Sequence, residues 1–227
     1  MSFFFTEEVY DGVTSYQPTV AGYGAFVAVM IGVLLIASFI GGGKKSGKTG
    51  AKQLAFSAMA MALATVMSML KLIELPMGGS LTLCSMLFIT LVGYWFGLKA
   101  GLMTAVAYGI LQLIIGPYII TPIQLIVDYI LAFGALGLSG IFRNVKGGLL
   151  LGYWVGVVGR FAFSFLSGMI FFGSYASEYG MSAPVYSALY NGSYIFAEAL
   201  VTTGILCIPP VNKALKKIKT MTENGKN

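Results

Sequence analysis

Three ionisable side chains stand inside stretches that are otherwise apolar. They are Asp128 in PIQLIVDYILAFGALGLSGIF, Arg160 at the head of RFAFSFLSGMIFFGSYA, and Glu198 in YIFAEALVTTGILC. A charge in apolar surroundings is costly and persists where it is paired or where it works. Near the same ends of these stretches lie Tyr118, Tyr129, Phe171, Phe172, Tyr175, Tyr186, Tyr190 and Tyr194. A carboxylate ringed by aromatic faces suits an organic cation, through charge pairing and cation–π attraction. For any one tyrosine, an aromatic belt at a membrane interface is the better explanation of the position. The cluster taken together with Asp128 points to a binding site.

A second pattern suggests different chemistry. In GGGKKSGKTG, residues 41–50, Gly42, Gly47, Lys48 and Thr49 match the phosphate-cradling loop G-x-x-x-x-G-K-[ST]. Such a loop needs a buried strand before it and a nucleotide domain after it. Here the flanks are YGAFVAVMIGVLLIASFIGGG and another long apolar segment, and no later strand ends in a metal-binding Asp. The first flank is a membrane span by length and composition. The loop therefore reads as a glycine-rich basic connector, marked as cytoplasmic by Lys44, Lys45, Lys48 and Lys52.

The elements that must position Asp128 are membrane spans. Apolar residues make up 57% of the 227-residue chain and charged residues 10%, against about 25% charged in soluble domains. Seven apolar stretches can be counted, roughly 18–40, 53–73, 80–97, 100–116, 119–142, 148–173 and 185–211. With that count, Lys44, Lys45, Lys48, Lys52, Lys99, Arg143, Lys146, Lys213, Lys216, Lys217, Lys219 and Lys226 share one side. Lys71, Glu7, Glu8, Asp11, Glu74 and Glu178 share the other. Positive loops face the cytoplasm, which puts the N-terminus outside and the C-terminus inside a multi-pass protein of the cell membrane. The net charge of +6 is then a topology signal and a means of lipid contact, with no nucleic acid implied. Acidic residues precede the first span and lysines follow it, the reverse of a signal peptide, so it reads as an uncleaved extra helix.

The chain has no histidine, which removes imidazole metal sites and Ser-His-Asp chemistry. Cys84 and Cys207 stand alone in apolar segments and read as ordinary buried thiols. No metal and no cofactor are expected. At about 1.5 Å per residue, Arg160 and Glu198 both lie roughly 20 Å below the outer surface, and Asp128 roughly 14 Å. Arg160 and Glu198 are thus the expected structural ion pair. Asp128 is left for a ligand, with Ser164 and Asn191 at similar or slightly shallower depth.

The motifs PIQLIVDYILAFGALGLSGIF, RFAFSFLSGMIFFGSYA and YSALYNGSY, in this order, resemble those of the thiamine-specific substrate-binding (S) components of energy-coupling-factor transporters. LPMGGSLTL resembles the lid region of some members. The likeness covers residues of about 53 to 213. It implies an all-α integral membrane protein with a six-helix core, here carrying one extra N-terminal transmembrane helix. It also implies thiamine binding in an outward-facing pocket beneath a lid around 74–80. By the same resemblance, the cation-facing carboxylate falls on Asp128, pocket aromatics on Tyr129, Tyr118, Phe172 and Tyr186, and the family asparagine on Asn191. Ser164 stands where some members have His, Phe172 where some have Trp, and the neighbourhood of Gly78 lacks a lid Trp found in some.

Such a component has no ATPase of its own. The resemblance implies a membrane coupling subunit and a cytoplasmic ATPase pair as partners, docked through small residues of the first core helix. In AFSAMAMALATV these are Ala58 and Ala62, or Ala60 and Ala64. The organisation expected is a tail at 1–17, the extra helix at 18–40, a connector at 41–52, the core at 53–213 and a basic tail at 214–227. The alternatives are a transporter for another small cationic vitamin or metabolite, a scaffold, and an intramembrane enzyme. The enzyme reading lacks a second catalytic group beyond Ser164, Asn191 and tyrosines. The scaffold reading leaves Asp128 unexplained.

Overall fold

The computed structural model describes residues 3–10, 13–41, 47–75 and 80–224. Strands β1 (Phe5–Tyr10) and β2 (Val13–Pro18) form an antiparallel hairpin with Phe5 opposite Pro18. Thr19 caps the helix that follows, its Oγ1 accepting from Gly22 N at 3.1 Å. That helix, α1 (Val20–Gly41), packs along α4 (Leu98–Ile115). Because a helix rather than a strand leads into residues 42–46, the geometry that a phosphate loop requires is absent before Gly47. Gly42, Lys44 and Lys45 themselves lie outside the described residues.

The core follows. Helix α2 (Gly47–Met69) leads into strands β3 (Lys71–Glu74) and β4 (Ser80–Thr82), which pair antiparallel. Residues 76–79, within the expected lid and including Gly78, lie outside the described residues. After α3 (Ser85–Phe96) and α4 come α5 (Pro122–Phe142), α6 (Gly148–Phe171), the short α7 (Tyr175–Glu178), α8 (Ala183–Cys207) and α9 (Pro209–Asn224). Met86, Ile89 and Leu91 of α3, Tyr108 of α4, Leu136 of α5, Tyr153 and Val157 of α6, and Ile195 of α8 meet in one buried cluster.

Among the described residues, four helical segments are long and apolar enough to cross a membrane, and α8 with α9 would make a fifth. Three expected boundaries change. The stretch 80–97 starts as a strand, leaving α3 only 12 residues, about 18 Å of helix against a hydrocarbon core of about 30 Å. The stretch 53–73 ends in β3. The last span stops at Cys207, where the chain turns through 86° into α9. The basic tail expected from residue 214 is therefore mostly helix. Trp95 Nε1 donates to Leu215 O at 3.2 Å and Thr222 Oγ1 to Trp95 O at 3.4 Å, fastening α9 to α3. Cys84 is buried as expected, but Cys207 is exposed on the bundle surface.

Two contacts gather the basic residues. Lys52 Nζ donates to Met221 O at 2.8 Å, and Lys219 Nζ to Arg143 O. They join the start of α2, the end of α5 and α9 at one end of the bundle, and the cavity described next opens at the other.

Candidate binding site

Asp128 owes its direction to the local winding of α5. Thr121 Oγ1 accepts from Gln124 N at 3.1 Å and Pro122 fills the first turn, a strong start signal. Residues Ile126–Leu131 then widen into a π-helical turn, a feature that often marks functional sites. The wide turn comes close to α4 because residue 109 is glycine; a Cβ there would collide with the Tyr129 carbonyl.

The carboxylate faces a cavity of about 700 Å³. Its walls include all seven residues expected at the site: Asp128, Tyr129, Tyr118, Ser164, Phe172, Tyr186 and Asn191. From α6 come Arg160, Ser164 and Gly168, four residues apart and so on one helix face, with Phe172 just past its end. From α8 come Tyr186, Tyr190 and Tyr194 at the same interval. The tyrosines of α8 form a continuous wall, with ring centres 5.9 Å apart for Tyr186–Tyr190 and 5.7 Å for Tyr190–Tyr194. Opposite, Tyr118 stacks on Phe172 at 6.0 Å, and its hydroxyl lies 3.0 Å from that of Tyr175. Burial and the Tyr175 hydrogen bond push the Tyr118 hydroxyl up to about 12, so it stays neutral at physiological pH.

The polar groups divide into those already engaged and those left open. Gln124, fully buried, donates from Nε2 to Asp128 Oδ2 at 2.7 Å and to Tyr118 O at 3.1 Å, while its Oε1 accepts from Ile120 N at 3.1 Å. Among the described residues no cation comes within ion-pairing distance of Asp128; its neighbours, the Gln124 amide and the buried Ser167 hydroxyl, are neutral. Tyr129 spends its hydroxyl on the loop, accepting from Tyr118 N at 2.9 Å and donating to Gly116 O at 3.4 Å. Its ring forms wall. Asn191 donates to Ser164 O and Ser187 O, both at 3.1 Å, and accepts from Tyr194 Oη at 2.9 Å. It joins α6 to α8 and keeps one acceptor lone pair in reserve.

The expected Arg160–Glu198 ion pair does not form. The Arg160 guanidinium sits over the Phe133 ring at 4.4 Å. Glu198 accepts instead from Thr82 Oγ1 at 2.5 Å, Ser85 Oγ at 2.9 Å and Met86 N at 3.0 Å. The reason lies at the start of α3. Cys84, in the left-handed region at φ 56°, offers no side-chain cap, and the carboxylate of α8 supplies one from across the bundle. Equal depth put the two charges level, but the hydroxyls of the β4 end reach Glu198 first. Both residues line a smaller chamber of about 240 Å³ beside the main cavity.

Sequence reasoning missed Gln124 and Phe133. Gln124 precedes Asp128 by four residues, the spacing at which helical side chains meet, and could have been found by that signal. Phe133 carried no signal among so many apolar neighbours.

Comparison with known proteins relates the chain to transporters. The chain is 34% identical to the thiamine transporter ThiT of Bacillus subtilis over 150 residues, covering 60% of this chain and 77% of that protein. It is 30% identical to ThiT of Lacticaseibacillus paracasei over 130 residues, covering 48% of this chain and 64% of the relative. The solved structure of ThiT from Listeria monocytogenes superposes with a TM-score of 0.62 at 26% identity, covering 74% of this chain and 97% of that one. A family model described as thiamine transporter protein matches residues 54–218, and the chain belongs to that family.

Proposed function

We propose that the cavity binds thiamine from the outer side of the cell membrane, with Asp128 facing the thiazolium cation and the tyrosine and phenylalanine rings stacking on the heterocycles. The observation that carries this reading is the Asp128 carboxylate, open to an aromatic-walled cavity with a neutral amide as its neighbour, in a member of the thiamine transporter family. Cation–π attraction and charge pairing then act on one ligand. Phe172, Tyr118 and Tyr186 supply π faces, Tyr129 shapes the wall, Ser164 and Asn191 border the neutral ring, and Asn191 offers its free lone pair.

In this reading the chain is the S component of an energy-coupling-factor transporter and works with a membrane coupling subunit and an ATPase pair. Ala58 and Ala62 lie on the exposed face of α2, whereas Ala60 and Ala64 are buried against the bundle. The first pair is thus the face free for close helix approach. The cavity end faces outward and the lysine-rich end faces the cytoplasm, with the C-terminus inside and the N-terminus outside. Reporters fused at residue 5 and at the C-terminus should report opposite sides.

The function is tested by titrating the purified protein in detergent with thiamine, without ATP, following aromatic fluorescence. Saturable binding is expected. A chain that retains its fold and shows no thiamine binding would overturn the reading.

A further inference from the structure

The N-terminal hairpin and α1 precede residues 54–218, the stretch that the family model matches. Yet they reach the loop that forms the outer wall of the cavity. Tyr16 N of β2 donates to Ile119 O at 2.6 Å. Tyr16 stands opposite Glu7 in the hairpin. An amide that donates to Ile119 is not spent on β1, so this bond adds to the hairpin's own ladder.

The hairpin in turn is anchored. Thr19 N donates to Phe4 O at 2.9 Å, Thr19 Oγ1 to Phe3 O at 2.8 Å, and the Phe5 ring meets Phe26 of α1 edge-on at 6.1 Å. Helix α1 lies along α4, which ends where this same loop begins. On the inner side of the loop, Gln124 holds Tyr118 O and Ile120 N, and Tyr129 holds Tyr118 N. The stretch 116–121 is therefore clamped between cavity-lining side chains within and a strand of the extra segment outside.

We infer that the N-terminal hairpin braces the mouth of the binding cavity. By fixing Ile119 it fixes Tyr118, whose ring stacks on Phe172 and whose hydroxyl meets Tyr175. The inference rests on the cavity being the ligand site proposed above. A connecting loop without a ladder of its own opens at low cost. One backbone hydrogen bond that holds it shut is worth roughly three- to tenfold in the ligand's release rate. Tyr16 is a positioning residue, acting through its backbone.

The test uses the full chain with Tyr16→Pro, which deletes the N–H and leaves the hairpin's inward bonds, beside Tyr16→Ala, which keeps the N–H and removes the ring. Two quantities are read: hydrogen exchange of residues 116–121, and the association and release rates of thiamine. Tyr16→Pro should raise exchange across 116–121 and speed release about three- to tenfold, with association nearly unchanged. Tyr16→Ala should stay close to the parent protein in both. If Tyr16→Pro frays the whole hairpin, seen as exchange across 5–18, the brace is removed entirely and release must still quicken. Unchanged exchange at 116–121 overturns the inference, and so does raised exchange with an unchanged release rate. If the parent protein does not bind thiamine, the ligand reading fails by itself, and the exchange measurement decides whether the hairpin holds the loop.

Discussion

Asp128 and Glu198 are two carboxylates in apolar helices of one bundle, and their surroundings are opposite. Glu198, 3% exposed, accepts from two hydroxyls and a helix-terminal amide. Asp128, partly buried, accepts from Gln124, has the buried Ser167 hydroxyl beside it, and otherwise faces a cavity of about 700 Å³. A carboxylate can accept roughly four hydrogen bonds. Held by several donors of its own protein, it ties elements together; left open among aromatic rings, it waits for a cation. Charge is alike in the two regions, so the difference lies in the hydroxyls and amides that each side chain can reach.

The largest effect that would break this contrast is at the tied carboxylate. Glu198→Ala strands three donors, each costing about 1–3 kcal/mol when left unpaired in the interior. It should lower stability by about 3–9 kcal/mol on that basis, with the start of α3 and strand β4 loosening first. Thermal melts in detergent measure this, and a midpoint equal to the parent's would remove Glu198 from the structural role.

Asp128→Asn keeps the shape and removes the charge. Thiamine affinity should fall about tenfold to a thousandfold, on about 1.4 kcal/mol per decade. The melting midpoint without ligand should hold or rise, because no protein cation loses its partner. A large loss of stability would show that Asp128 belongs with Glu198 as a structural group.

Gln124→Ala sharpens the comparison further, since this amide orients Asp128 and holds the 118–120 backbone. Affinity should fall about tenfold, less than for Asp128→Asn, because the variant keeps the carboxylate charge that pairs with the cation and loses only the bond that orients it. Calorimetric titration of both variants side by side checks the order.

The smallest effect concerns Tyr118 at the mouth. Its folded-state value of about 12 lies above the ordinary tyrosine value of 10.0. The folded chain thus keeps this proton more tightly than the unfolded chain does. The contribution to stability is fully present below pH of about 10 and is lost as pH rises toward about 12. Melts between pH 9 and 12 should show this decline shrink in Tyr118→Phe.

How much of this could be read beforehand follows from the membrane itself. In a chain with so few charges, Asp128, Arg160 and Glu198 stand out, and aromatic residues at span ends mark a level in the bilayer. That is why seven residues named from the sequence surround one cavity. Pairing could not be read in the same way. The donors to Glu198 are Thr82, Ser85 and the Met86 amide, and nothing in SLTLCSM distinguishes them from ordinary span residues. Short strands such as β4 hide inside hydrophobic runs, since an apolar stretch of this length fits strand, turn and helix alike. The π-helical turn at Ile126–Leu131 is a backbone event with no composition of its own. The resemblance carried the core from about residue 53 and was silent on the hairpin, which lies before it.

Whether the open carboxylate selects the cation is read from a two-by-two titration. The parent protein and Asp128→Asn are each titrated with thiamine and with an analogue whose thiazolium ring is replaced by a neutral ring. The parent should prefer thiamine, Asp128→Asn should lose about tenfold to a thousandfold toward thiamine, and the neutral analogue should change little, so that the preference collapses. Equal losses for both ligands, or thiamine binding unchanged in Asp128→Asn, would contradict selection by the carboxylate.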